Sequence, residues 1–355
     1  MSDVIDQAGP VREDEALPLE RLLPWIRAHV PEASGTPEIT QYSGGVSNWT
    51  YRLRFDGADL ILRRPPAGAR AKSANDMARE YRLQKALAPH FPLVPPMRAL
   101  CEDEDVIGAE FYLMDRLEGI IPRKNLPRGV ELTPDETRVL CQNVLDTLVR
   151  LHSVDVREAG LDHLGVGAGY ARRQIDGWSC RYKEFRTWNV PKGTKIMNWL
   201  DKNLPDEGPL CLTHNDFRFD NVVLSPDHPT RVIGVLDWEL ATIGDPLMDL
   251  GNLLAYWVEP GDDRIAKATR RQPTTLPGMM TRQEVIDYYC AATGRDPRAI
   301  TYYQVYGLFR LSGIVQQIYY RYHHGQTRNP DFRRFWLITH YLHWRCRRLM
   351  RQEAP

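Results

Sequence analysis

The chain has 355 residues, which is more than a single hydrophobic core usually holds. Its composition, 43% hydrophobic and 26% charged, is ordinary for a globular protein. Its 46 basic and 46 acidic residues balance, which argues against a nucleic-acid-binding protein, because such proteins need excess positive charge. Six scattered cysteines, a polar N-terminus and no apolar run of membrane length predict a cytoplasmic protein with reduced thiols and no membrane partner.

The first third of the chain has the pattern of a small antiparallel sheet. A helix is predicted over residues 17–30, although Pro24 favours a break or a kink there. Short runs of β-branched, aromatic and apolar residues separated by turn residues predict strands, and one apolar stripe at helical spacing predicts a helix among them. The predicted strands cover residues 39–42, 49–55, 59–63, 98–101 and 110–114, and the predicted helix covers residues 71–87.

After Gly119 the hydrophobic residues recur mainly at three- and four-residue spacing, which is typical of helices. Helices are predicted over residues 134–153, 194–204, 282–293, 301–323 and 331–351, with two short strands over 221–224 and 232–236. This order predicts an α+β fold with a small antiparallel β-rich lobe, residues 1–117, and a larger, mainly helical lobe, residues 118–355.

The most informative stretch is residues 212–250. It contains His214-x-Asp216-x-x-x-x-Asn221, and the second short strand then leads into Asp237. The order matches the catalytic loop and the metal-binding Asp of kinases, in which one carboxylate accepts the proton of the attacking hydroxyl while an amide and a second carboxylate hold Mg²⁺ on the phosphates. Each residue alone could be a turn or cap residue. Together they predict phosphoryl transfer.

The segments H-N-D-F-R-F-D-N from His214, D-W-E from Asp237 and G-D-P-L-M-D-L from Gly244 resemble motifs of the aminoglycoside phosphotransferase and choline kinase-like family. The resemblance covers residues 42–328. It is greatest to the subgroup related to the kinase-like domain that some animal acyl-CoA dehydrogenases carry at their N-terminus, which typically reads H-G-D-Y-R-x-D-N. The resemblance implies a protein-kinase-like two-lobed fold, ATP and Mg²⁺ as cofactors, and a small-molecule hydroxyl acceptor.

Carried over by position, the resemblance implies a role for each residue of this motif. Asp216 is the expected catalytic base, or at least the group that orients the hydroxyl, and Arg218 is expected to neutralise charge on the transferred phosphoryl group. Asn221 and Asp237 are the expected Mg²⁺ ligands. The same resemblance makes His214 a structural brace of the loop. Asp220 and Glu239 are not expected to be direct ligands, and Asp245 and Asp249 are expected to cap helices or support the loop.

On the nucleotide side, a Gly-Gly segment lies between two predicted strands. The family folds this loop over the ATP phosphates, where glycines let backbone N–H groups approach and a polar side chain adds a donor. Plain turn chemistry would explain the same residues. The expected phosphate-binding residues are Ser43, Gly44, Gly45, Ser47 and Asn48.

The strand lysine of kinases has no counterpart, because Leu60-Ile61-Leu62-Arg63 occupies its place. Arg63 is therefore expected to contact the α- and β-phosphates and to pair with Glu80, which could otherwise be an exposed helix carboxylate. Arg64 points to the other face of the strand, so a shift of one residue would exchange the two arginines. At the end of the last strand, Met114, Asp115 and Leu117 are the expected adenine-binding hinge.

The final helices are rich in arginine and aromatic residues, which indicates either a solvated basic face or a surface for an anionic substrate. The resemblance suggests a hydroxyacyl-CoA or a related hydroxy acid as acceptor, with aminoglycosides, choline or homoserine as alternatives. A nucleotide-binding pseudokinase is the competing interpretation, and the missing lysine supports it. A protein kinase is less consistent, because no long activation segment follows Asp237. The residues considered for the acceptor are Tyr306, Phe309, Arg310, Tyr319, Tyr320 and Arg321.

Overall fold

A computed structural model describes residues 8–42, 48–66 and 76–352. In chain order, the strands of these residues are β1 (Glu38–Gln41), β2 (Trp49–Arg54), β3 (Asp59–Arg64), β4 (Met97–Cys101), β5 (Phe111–Asp115), β6 (Cys211–Thr213), β7 (Val222–Leu224), β8 (Val232–Val235) and β9 (Thr242–Gly244). The helices are α1 (Leu19–His29), α2 (Met77–Leu87), α3 (Pro134–His152), α4 (Tyr170–Glu184), α5 (Thr194–Lys202), α6 (Pro246–Ala255), α7 (Arg264–Thr269), α8 (Arg282–Thr293), α9 (Ile300–His323) and α10 (Phe335–Gln352).

The described residues separate into two compact units, and neither is one continuous stretch of chain. The first, here called the sheet unit, contains the described residues up to Glu131 together with Arg157–Leu161 and Asp220–Leu240. The second, here called the helical unit, contains Leu132–Val156, Asp162–Phe219 and the described residues from Ala241 onwards. Strands β7 and β8 therefore belong to the sheet unit, although they follow it by about ninety residues in the chain.

The sheet unit is built on five antiparallel strands in the order β1-β2-β3-β5-β4. Successive side chains of a strand point to opposite faces, so β3 separates two small cores. Leu60 and Leu62 pack in a cluster with Leu22 of α1, whereas Ile61 packs in a cluster with Met77 of α2. Register on β3 thus decides which side chains share the face of α2.

Several helices begin where the sequence supplies a side-chain cap. Thr133 and Glu136 form a reciprocal capping box at the start of α3, and Thr281 and Glu284 form another at α8. Asp245 caps α6, where its Oδ1 accepts the N–H group of Leu247 at 2.8 Å and Pro246 occupies the first helical position. These caps satisfy backbone donors that the helix itself leaves without partners.

The fold class predicted from the sequence, α+β with an antiparallel sheet and many helices, is confirmed. Helix α1 runs through Pro24 without ending. The helix predicted from residue 331 starts later, because Pro330–Arg334 forms a 3-10 turn before α10. Helices α4, α6 and α7 and strands β6 and β9 were not predicted. Within the described ranges, every helix is too short or too polar to cross a lipid bilayer.

Candidate active site

A cavity of about 230 Å³ lies wholly within the sheet unit. It brings together seven of the residues predicted for the nucleotide and the metal: Asn48, Arg63, Met114, Asp115, Leu117, Asn221 and Asp237. The sequence interpretation did not assign the other lining residues to a direct role; they are Tyr42, Thr50, Ile61, Pro95, Arg116, Gly119, Ile121, Arg123, Asp220, Leu236 and Glu239. Residues far apart in the chain thus meet at one concave surface.

Arg63 is the centre of the charged network in this cavity. Its guanidinium lies 3.2 Å from Glu80 Oε1 of α2 and 3.0 Å from Asp237 Oδ1, with Glu239 Oε2 at 3.9 Å. Glu80 is buried and also accepts a hydrogen bond from the Tyr112 hydroxyl at 2.9 Å. The pairing of Arg63 with Glu80 expected from the sequence is therefore present.

The electrostatics of this pair follow from its burial. Burial tends to lower the pKa of Arg63, but Glu80, Tyr112 and Asp237 together outweigh it, and the pKa lies well above the ordinary value for arginine. Burial raises the pKa of Glu80, and the charge of Arg63 and the Tyr112 hydroxyl counteract that rise. Arg63 is thus a fixed positive charge facing the cavity.

Register on β3 distinguishes the two candidate arginines. Arg63 stands opposite Thr50 and Tyr112, on the α2 face of the sheet. Arg64 has its guanidinium 5.3 Å from the centre of the Trp49 ring and does not line the cavity. Of these two arginines, Arg63 is therefore the one that lines the cavity.

The hairpin of β7 and β8 positions Asn221 and Asp237 at the cavity. The carbonyl of Asn221 accepts the N–H group of Leu236 at 2.8 Å, so the residues at the base of the hairpin are held together. Asp237 has φ +67°, a left-handed conformation that most residues avoid, and such strain is typical of functional sites. Gly119 lies against the same hairpin: a Cβ there would be 2.5 Å from the Leu224 carbonyl oxygen.

The predicted phosphate loop lies only partly within the described residues. Ser43, Gly44, Gly45 and Ser47 of the predicted phosphate loop lie outside the described residues. Asn48 is described and buried, and its Nδ2 donates to Glu239 Oε2 at 2.9 Å. Glu239 therefore joins the cavity network, although the sequence placed it outside the direct ligands.

The helical unit holds the first part of the catalytic-loop motif, residues 214–219, which follow β6 in the chain. The buried Asp249 of α6 accepts the backbone N–H group of His214 at 2.7 Å through Oδ2 and that of Asn215 at 2.9 Å through Oδ1. His152 Nε2 lies 3.2 Å from the same carboxylate. Burial raises the pKa of Asp249, but its hydrogen bonds outweigh burial and the pKa lies below the ordinary value. Asp249 thus supports the loop as an anion.

Asp216, the predicted base, follows this anchored turn. Its backbone N–H group donates to His214 Nδ1 at 3.3 Å, consistent with His214 as a brace. Its Oδ2 lies 3.2 Å from the guanidinium of Arg218, which also lies 4.6 Å from the centre of the Tyr256 ring. Asp216 and Arg218 are both mostly buried. The loop therefore presents a carboxylate whose orientation is fixed by a neighbouring cation.

The sequence interpretation did not include several residues of this loop's support. The Tyr170 hydroxyl donates to Asn215 Oδ1 at 3.1 Å, and His152 Nδ1 lies 2.6 Å from the Tyr289 hydroxyl. Tyr303 donates to Asp245 Oδ2 at 2.9 Å. Each contact joins residues more than forty positions apart, and no local pattern in the sequence signals it.

The residues considered for the acceptor divide by burial. Arg321 is exposed and Tyr320 is half-buried, as expected of a solvated face. The other four are buried: Tyr306, Phe309, Arg310 and Tyr319.

The donors of the cavity fit a nucleotide with Mg²⁺. Asn221 and Asp237 offer the oxygen ligands that Mg²⁺ prefers, and Arg63 offers a buried cation for phosphate. The buried Nε of Arg63 and Oδ1 of Asn48 have no hydrogen-bond partner within the described part of the chain. No group of three or more His, Cys, Asp or Glu side chains suited to a metal occurs among these residues, and Mg²⁺ characteristically takes only one or two carboxylates with phosphate and water.

Comparison with known proteins points to one family. The model of the phosphotransferase enzyme family matches residues 38–284. Acyl-CoA dehydrogenase family member 11 of Mus musculus is 34% identical over 338 residues, covering 93% of this chain and 43% of that protein. This chain therefore spans less than half the length of that relative.

Solved structures agree. A candidate aminoglycoside phosphotransferase from Ralstonia eutropha is 29% identical, with a TM-score of 0.80 over 96% of this chain and all of that one. A mutant aminoglycoside phosphotransferase, solved with ADP and hygromycin B, is 16% identical to this chain, with a TM-score of 0.58. The superposition covers 94% of this chain and 99% of that chain, which shows that the two share a fold.

Proposed function

Because the chain belongs to the phosphotransferase enzyme family, we propose that it is an ATP- and Mg²⁺-dependent small-molecule kinase that phosphorylates a hydroxyl group. The main observation in support is the sheet-unit cavity, where a buried guanidinium, a carboxylate and an amide meet apolar side chains. A binding site for a magnesium nucleotide needs this mixture of groups.

In this proposal the sheet unit holds the nucleotide. Ile61, Met114 and Leu236 give the adenine an apolar surface, and the backbone of Asp115 and Leu117 reads its edge. Arg63 contacts the α- and β-phosphates, with Glu80 holding its guanidinium in place. The phosphate loop is assigned to Ser43, Gly44, Gly45, Ser47 and Asn48.

Asn221 and Asp237 are the proposed metal ligands. When bound, Mg²⁺ neutralises phosphate charge and orients the transferred group. Asp237 lies 3.0 Å from Arg63, so the same carboxylate also fixes the cation intended for phosphate. This shared contact makes the metal ligand and the phosphate-binding cation interdependent.

Asp216 is the proposed base. It accepts the proton of the acceptor hydroxyl while that oxygen forms its bond to the γ-phosphorus, and the bond from the γ-phosphorus to the bridging oxygen of ADP breaks. Arg218 holds the Asp216 carboxylate and adds positive charge where the transferred phosphoryl oxygens become more negative.

For the acceptor we propose an anionic hydroxy acid or a hydroxyacyl-CoA thioester. The buried arginine among the aromatic residues of α9 supports an anion, and the likeness to an acyl-CoA dehydrogenase family member supports an acyl compound. A screen of 4-hydroxyacyl-CoAs, homoserine, choline and aminoglycosides with ATP measures acceptor preference. Turnover with cationic acceptors alone would contradict the anionic assignment.

The decisive variant is Asp216→Asn, which keeps the size of the side chain and removes the proton acceptor. We expect kcat for the best acceptor to fall by at least about 10²-fold, the usual range for general acid–base catalysis, with ATP affinity nearly unchanged. Retention of full turnover contradicts Asp216 as the base. ATP binding in a wild-type protein that turns over no acceptor would instead favour the pseudokinase interpretation.

A further inference from the structure

Arg310 is a buried cation of the helical unit that has no part in the proposed transfer of the phosphoryl group. It lies in the middle of α9 and is only 5% exposed. Among the described residues, no Asp or Glu oxygen lies within 4.0 Å of its guanidinium, and no hydrogen bond to it is formed. Buried charges are normally paired, because removal from water is otherwise costly.

The one described contact of its guanidinium is with Trp178 of α4. The Arg310 Cζ lies 5.4 Å from the centre of this ring, and the exposed Arg181 has its Cζ 4.3 Å from the same ring. The backbone of α9 approaches closely, since a Cβ at Gly313 would lie 3.1 Å from the indole. Its guanidinium nitrogens are not among the buried atoms of the described chain that lack a partner, so they still reach solvent. The hydrogen-bonding capacity of Arg310 therefore stays available.

Other groups link this position to the predicted catalytic loop. The charge of Arg310 acts on the hydroxyls of Tyr170 and Tyr306, where it opposes the effect of burial on their pKa values. Tyr170 in turn donates to Asn215, the residue before Asp216. The buried carboxylate of this region, Asp249, is occupied by His152 and two loop N–H groups. Arg310 is thus close to the loop without a carboxylate of its own.

We propose that Arg310, held against Trp178, binds the acidic group of the hydroxyl acceptor, a carboxylate or a phosphate. This inference rests on the proposed function and specifies its acceptor. A guanidinium binds either oxyanion through two parallel N–H···O bonds, and burial strengthens those bonds. An acceptor held in this way carries a hydroxyl to be phosphorylated and a separate anionic end.

The test measures binding by calorimetry to the full chain saturated with a non-hydrolysable ATP analogue, so that nucleotide binding does not interfere. The probes are 3-hydroxybutyrate, its neutral amide and glycerol 3-phosphate, which separate a carboxylate from a phosphate. We expect the wild type to prefer one anion over the amide. Arg310→Gln should weaken binding of that anion roughly 10- to 100-fold and leave the amide and the ATP analogue unchanged.

Arg181→Gln is the matched control, because it removes the same charge from an exposed side chain at the same ring. We expect its anion affinity to differ from that of the wild type by less than about threefold. Arg310→Lys keeps the charge without the fork, so it should lose part of the anion affinity, and it carries the test if Arg310→Gln fails to fold. Unchanged anion affinity in Arg310→Lys and Arg310→Gln overturns the inference, as does a wild type without preference for either anion.

The outcomes separate this inference from the proposed function. Phosphorylation that depends on Asp216, with the same acceptor selectivity in Arg310→Gln as in the wild type, overturns the anion site and leaves the kinase intact. Anion binding that depends on Arg310, in a protein that phosphorylates no acceptor, supports the anion site and counts against the kinase.

Discussion

Asp249 accepts the backbone N–H group of His214 at 2.7 Å, and no part of its side chain is exposed. The same carboxylate accepts the N–H group of Asn215 and contacts His152. One buried anion of α6 thus fixes the start of the predicted catalytic loop and ties it to the end of α3.

The first prediction concerns this carboxylate. Asp249→Asn puts an amide NH₂ against backbone donors, so we expect a loss of roughly 3 kcal/mol in the free energy of unfolding and a large fall in kcat. Urea denaturation and steady-state kinetics measure the two effects. Asp287→Asn, an exposed carboxylate on α8, is the control and should change neither. Wild-type stability in Asp249→Asn would show that the loop is held by other contacts.

The second prediction separates the two arginines of β3. Arg63→Met leaves Glu80 buried without its cation, so we expect a loss of roughly 3 kcal/mol in stability and weaker ATP binding. Arg64→Met removes a cation that lies against Trp49 outside the cavity and should leave ATP affinity near that of the wild type. Equilibrium ATP titration measures the ATP affinity of both variants. Equal losses of ATP affinity in the two would contradict the assignment of Arg63 to the phosphates.

The third prediction concerns the metal. Chelation of divalent ions should abolish phosphoryl transfer, and Asp237→Asn should raise the Mg²⁺ concentration for half-maximal rate by about tenfold or more. Asp227→Asn, an exposed carboxylate in the turn between β7 and β8, is the matched control. A wild-type Mg²⁺ dependence in Asp237→Asn would exclude this side chain as a ligand.

The fourth prediction follows from His343 of α10. Burial lowers the pKa of His343 from 6.5 to about 3, and its ring lies 5.2 Å from that of Tyr182. Below pH 6.5 the unfolded chain binds a proton that the folded chain does not bind until about pH 3, so protonation favours unfolding. Stability should therefore decrease as the pH is lowered through this window, by up to about 1.4 kcal/mol per pH unit from this group.

Denaturation of His343→Phe and wild type at a series of pH values measures that slope. The variant should show a shallower dependence between pH 6.5 and pH 3, whatever its stability at neutral pH. His163→Gln, which changes an exposed histidine, should keep the wild-type slope. Identical slopes for His343→Phe and wild type would mean that other groups cause the acid sensitivity.

Most of the fold was predictable from local sequence patterns. Strands β2 and β3 follow from short apolar and aromatic runs bounded by turn residues, and α9 follows from hydrophobic spacing over a long segment. Helix α6 was not predicted; all ten of its residues are buried, so it lacks the exposed polar face that marks a surface helix. Short strands such as β6 and β9 have three residues each, too few for a pattern.

The candidate site was predictable in its motif residues and not in their supports. Asp216, Asn221 and Asp237 stand at motif spacing, so their residue types could be read directly. The choice between Arg63 and Arg64 required the register of β3, since a shift of one residue reverses the faces. His152 lies 97 positions from its partner Asp249, a contact that only the folded chain creates.

The late return of β7 and β8 to the sheet unit has a consequence for engineering. A fragment that stops at Glu131 contains Arg63 and Glu80 but lacks Asn221 and Asp237. A fragment that starts after Glu131 contains Asn221 and Asp237 but lacks the two earlier residues. Chimeras made by joining two homologues at one crossover near this position would therefore take the two halves of one cavity from different parents. Exchange of nucleotide preference between relatives should require at least two coordinated crossovers.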